Sequence, residues 1–118
     1  MIARNSALRI LFSIVPATIL VTSSAPAFAD GDVLAGHEAA HQCEVCHGLD
    51  GLSKTPEAPN LAGQNQNYLI KQLGDFKAGK RENEMMSVVV PSLTDQDIEN
   101  LAAYYSAIEV KIGKIPGQ

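Results

Sequence analysis

Five consecutive residues, Cys43-Glu44-Val45-Cys46-His47, hold both cysteines of the 118-residue chain and one of its three histidines. A disulfide across a two-residue gap closes so small a loop that it would stabilise little. A thioredoxin-like redox pair belongs in a strand–helix–strand setting, and no such pattern flanks the run. A histidine directly after the second cysteine is instead the attachment signature of c-type haem. The two thiols add across the haem vinyl groups, and the adjoining imidazole then lies under the iron as its proximal ligand. The competing chemistry is zinc, for which His37, His41, Cys43 and Cys46 offer four ligands of suitable types. That reading leaves the residues after His47 without a role and ignores His47 itself. His37 and His41 read better as a solvated helix face.

The N-terminal segment supports haem by placing the chain outside the cytoplasm, where c-type attachment is completed in bacteria. Residues 1–29 read as a secretory signal peptide, with Arg4 and Arg9 as its basic start and an apolar run of 12 residues over Ile10–Val21. Ala27-Phe28-Ala29 supplies the small-x-small cleavage pattern before Asp30. Twelve helical residues reach only about 18 Å, short of a hydrocarbon core of about 30 Å, and Pro16 weakens a spanning helix further. Cleavage after Ala29 leaves 89 residues in the periplasm, with no stable membrane span. These carry 7 basic and 13 acidic residues, a net charge of −6. Nucleic acid is excluded as a partner by that sign, since its phosphates need a basic surface. So short a chain buries too little surface to be comfortably stable unless something staples it.

Three helices and no convincing strand are predicted. The first covers about Asp32–Gln42, capped by Asp30 or Asp32. The second covers Gln66–Lys77, with Leu69, Leu73 and Phe76 on one face and Gly79 as its stop. The third starts at Thr94, with Asp97 in a capping-box role, and carries Ile98, Leu101, Ala102, Tyr105 and Ile108 as its apolar face. Gly48–Asn65 is too rich in Pro and Gly for a helix but suits an Ω-like loop. A proximal histidine normally donates its second ring N–H to a fixed acceptor, and the carbonyl of Pro59 in this loop is the candidate. The second loop, Lys80–Leu93, contains Met85 and Met86, the only methionines besides Met1. A thioether is a soft ligand suited to haem iron, and a His/Met pair raises its reduction potential.

Taken together, Cys43–Gly48, Ala58–Gln64, Tyr68–Leu73 with Phe76 and Gly79, and Leu93–Ile98 followed by Leu101–Tyr105 resemble the class I c-type cytochromes. The likeness is closest to the bacterial periplasmic monohaem forms and to one lobe of the dihaem forms, and it covers nearly all of residues 31–109. It implies an all-α fold of the small class I cytochrome c type for residues 30–118, with N- and C-terminal helices crossing and haem-enclosing loops. It implies one covalent haem c with its iron. Gly36 takes the position that lets the crossing helices approach, with Tyr104 facing it. In such relatives the ligand methionine stands seven residues before the leucine that opens the last-helix motif, and counting back from Leu93 gives Met86 rather than Met85. One departure is Val89, where relatives often carry a further methionine.

The resemblance implies a periplasmic electron-transfer protein cycling Fe(III)/Fe(II), not an enzyme, with His47 and Met86 as axial ligands. No residue needs to act as acid, base or nucleophile, and Glu82 and Glu84 read as a solvated acidic loop. The acidic balance suits redox partners with basic docking surfaces. The alternative is a dedicated haem c subunit of a periplasmic dehydrogenase complex, for which the tail Val110–Gln118 is a candidate docking strand. A third reading is an enzyme or sensor with five-coordinate haem, in which neither methionine binds.

Overall fold

The computed structural model describes residues 31–118; the proposed signal peptide, its cleavage point after Ala29, and Asp30 lie outside the described residues. Asp32 begins the first helix because its carboxylate accepts the amide of Ala35 at 2.8 Å, and α1 follows over Val33–Ala40. The helix ends two residues short of the expected Gln42, in a turn that leads directly into a four-residue helix, α2, at Glu44–His47. His47 therefore sits inside a helical turn of its own, not in the coil after α1. The turn closes through His47 N to Cys43 O and Gly48 N to Glu44 O, both 2.9 Å, and Gly48 ends it at φ +70°. A single turn is too short to show apolar periodicity, so the sequence does not signal it.

Asn65 caps α3, which runs over Gln66–Lys77 as expected, and Gly79 stops it at φ +66°. The predicted loop Lys80–Leu93 is a loop only in its first half. It holds a one-turn helix, α4, at Met86–Val89, followed by a 3-10 turn at Val90–Ser92. Asn83 organises α4 by accepting the amides of Met85 and Met86 on one side-chain oxygen, each at 3.1 Å. The last helix, α5, spans Asp95–Ala107 and opens with the reciprocal capping box expected of Thr94 and Asp97.

No strand is present among the described residues. The most extensive helix pair is α1 with α5, followed by α3 with α5. The first crossing is as close as backbone allows: a Cβ on Gly36 would lie 2.0 Å from the Asn100 carbonyl oxygen and 2.7 Å from Tyr104 Cβ. The buried Asn100 side chain ties the same contact by accepting Asp32 N at 2.8 Å. Leu69 and Phe76 of α3, Val90 of the 3-10 turn, Leu93 just after it, and Ile98, Leu101, Ala102 and Tyr105 of α5 form one buried cluster with Ala40. Ile108 and Leu73 lie at its edge, half-buried. Cys43, at the start of the α2 turn, and Met86, at the start of α4, both pack against this cluster.

Candidate haem site

Helical spacing in α2 puts Cys43, Cys46 and His47 at i, i+3 and i+4, which is one face of the turn. The two thiols are not joined to one another. Cys43 packs against the core, and this burial, with the Cys46 sulfur adding to it, pushes its pKa up to about 11. His47 is buried, and its Nδ1 donates to the carbonyl of Pro59 at 2.9 Å. A carbonyl can only accept, so the ring proton is on Nδ1 and the lone pair is on Nε2. Nε2 has no hydrogen-bond partner among the described residues.

Pro59 O can hold that position because the loop over 48–65 is tied at many points. The Gly51 carbonyl accepts the amides of Leu61 at 2.8 Å and Ala62 at 3.0 Å, and Ser53 N donates to Asn60 Oδ1 at 2.7 Å. Gly51 has φ +68° and Ala62 N within 2.6 Å of where a Cβ would stand, so only glycine closes this loop. Lys54 N returns to Cys46 O at 2.8 Å, which joins the loop to α2.

The C-terminal half of α5 supplies anchors that sequence reasoning missed. Tyr104 donates its hydroxyl to Leu49 O at 2.7 Å, Tyr105 donates to Gly48 O at 3.2 Å, and Gly63 N donates to Tyr105 O at 2.9 Å. The sequence pattern places Tyr105 on the apolar face alone. The usable signal was its polar tip, because a buried tyrosine hydroxyl generally finds an acceptor. Burial keeps both phenols above their ordinary range and therefore protonated donors.

The two methionines differ in environment. Met86 is half-buried against the core, whereas Met85, one residue earlier at the start of α4, is 62% exposed. Of the adjoining valines, Val90 is a core residue and Val88 is exposed. The four-ligand zinc set is not brought together: among the described residues no group of three or more His, Cys, Asp or Glu side chains is placed to hold a metal ion. His47 and Met86 are bound into elements that border one core, and His47 presents an unused ring nitrogen. Two thiols on one turn, with that imidazole beside them, match the Cys-x-x-Cys-His attachment signature of c-type haem.

Residues 33–108 match the family model described as Cytochrome c. The chain belongs to the cytochrome c family. It is 44% identical over 87 residues to cytochrome c4 of Pseudomonas aeruginosa, covering 74% of this chain and 43% of that protein. It is 38% identical over 82 residues to cytochrome c-554(548) of Halomonas halodenitrificans, covering 67% of this chain and 99% of that protein. The crystal structure of reduced recombinant cytochrome c4 from Pseudomonas stutzeri superposes with a TM-score of 0.64 at 41% identity, over 70% of this chain and 48% of that one. The chain thus spans less than half the length of the cytochrome c4 proteins it matches. Its fold is that of the class I cytochromes c, helical throughout its described elements. A domain of this family carries haem c with its iron covalently, and the pattern Cys43-x-x-Cys46-His47 fits that attachment.

Proposed function

We propose that this cytochrome c domain is a one-electron carrier of the periplasm, matured by removal of residues 1–29. The observation that carries the proposal is the His47 Nδ1–Pro59 O hydrogen bond, which fixes the imidazole and leaves Nε2 as a ligand. When bound, haem c supplies the Fe(III)/Fe(II) couple. Cys43 and Cys46 would anchor it covalently, and His47 Nε2 would bind its iron. Pro59 O keeps the imidazole oriented and electron-rich by holding its Nδ1 proton. Met86, sheltered against the core where Met85 is not, would supply the second ligand to the iron. With His47 and Met86 both given to the iron, no position would remain for a substrate, and this chain's work would be to hold the ligands, exclude water and set the potential. The tail after α5 stays without helix or strand through Gln118, and Val110 and Ile112 are exposed. No helix among the described residues is long and apolar enough to cross a membrane.

The reading is tested on protein expressed with its own leader. Mass spectrometry should give a mature chain starting at Asp30 plus one haem, eluting alone on gel filtration. Redox titration should show a single one-electron step, and the reduced protein should not take up carbon monoxide at neutral pH. Strong carbon monoxide binding would overturn the closed site in favour of a five-coordinate enzyme or sensor. Co-elution with a catalytic chain would overturn the free carrier in favour of a dedicated subunit.

A further inference from the structure

Two histidines outside the haem site occupy successive turns of one helix face. His37 lies in α1 and His41 is its helical C-cap, with ring centroids 5.4 Å apart and planes at 75°. Each ring has a neighbour. The Tyr104 hydroxyl is fixed on Leu49 O at 2.7 Å, and its ring meets the His37 ring edge to face with centroids 5.3 Å apart. His41 Nδ1 donates to Glu44 Oε2 at 3.2 Å, and Glu38 Oε1 lies 3.5 Å from His37 Nδ1. At His41 the carboxylate on Nδ1 draws the ring proton to that atom and leaves the lone pair on Nε2, the arrangement found behind metal-bound imidazoles. The side chains remain 42% and 51% exposed, so an ion reaches them from solvent.

We propose that His37 and His41 form a binding site for one divalent transition-metal ion, held through their Nε2 atoms with water completing its shell. Glu44 is a positioning residue that orients His41. Imidazole donors favour Cu2+ above Zn2+ and give no hold on Mg2+ or Ca2+, which seek oxygen. The site differs from a four-ligand zinc centre in using neither cysteine, whose sulfurs belong to the haem attachment. The net acidity of residues 30–118 adds a general attraction for cations.

The test is calorimetric titration of the oxidised holoprotein with Cu2+, with electron paramagnetic resonance reporting nitrogen ligation. One Cu2+ per chain is expected, with Zn2+ competing and Mg2+ silent. His37→Asn and His41→Asn should each abolish the site, and Glu44→Gln should weaken it about tenfold. The haem spectrum reports whether each variant is folded. Because His37 packs on Tyr104, the more exposed His41→Asn decides if His37→Asn fails to fold. Undiminished Cu2+ binding in His41→Asn, or no saturable binding by the wild type, would overturn the proposal.

Discussion

Cys43 shows what burial does to a single titratable group. Its folded pKa of about 11 stands above the ordinary 9.0, so the unfolded chain loses this proton first as pH rises. Between those values the unfolded state binds fewer protons, and stability falls with increasing pH. The haem-free chain should therefore lose about 2 kcal/mol from this group between pH 8 and pH 10.5, by the standard conversion of a pKa difference. The haem-free Cys43→Ala variant should lose correspondingly less in urea titrations at the two pH values. Equal losses would show that Cys43 is not held protonated. In the holoprotein the sulfur is a thioether with no proton to lose, so attachment removes this alkaline weakness. Cys43, Cys46, His47 and the Pro59 carbonyl were legible in the sequence because each has a chemical requirement attached to its position. Tyr104 and Tyr105 were not legible as anchors, because the carbonyls they bind lie 55 and 57 residues away in sequence.

Elements were legible where they are long or capped. Gln66–Lys77 and the Thr94 start of α5 could be read from periodicity and caps, whereas α2 and α4, four residues each, offer neither. The second of these, with the 3-10 turn that follows it, converts half of an expected loop into helix that starts at Met86, and its organiser is Asn83, which no periodic pattern marks. The α1–α5 crossing yields a sharp prediction. Gly36→Ala drives a methyl into the Asn100 carbonyl, which is backbone and cannot rotate away, so the helices must part. Thermal or urea unfolding should show a loss of about 3 kcal/mol, at the upper end of ordinary overpacking. A loss below about 1 kcal/mol would mean that the crossing adjusts freely. Thr94→Ala removes the N-cap and should cost about 1 kcal/mol. Asp97 is held below the ordinary carboxylate range by the Thr94 hydroxyl and then its amide. Its contribution is therefore present above the unfolded carboxylate pKa and lost as pH falls through the lowered folded value. The stability gap between wild type and Asp97→Ala should shrink from pH 7 to pH 3; a constant gap would remove the cap's electrostatic part.

At the scale of the whole molecule, the proposed haem site draws on segments that no single helix could bring together. The Cys43–His47 turn, the loop over 48–65, α4 and the end of α5 all meet around one core. Surface charge also acts at this scale. With 13 acidic and 7 basic residues over 30–118, encounter with a cationic redox reagent should slow as salt rises, and encounter with an anionic one should quicken. Stopped-flow oxidation by a pair of oppositely charged metal complexes measures both slopes, and slopes of the same sign would contradict an acidic encounter surface. The most direct measurement of all is the optical spectrum of the oxidised holoprotein for wild type, Met85→Ala and Met86→Ala. Wild type and Met85→Ala should keep the weak far-red methionine-to-iron band, and Met86→Ala should lose it while retaining covalent haem. Loss of the band only in Met85→Ala would contradict the Met86 assignment, and a colourless wild-type protein would contradict the haem site itself.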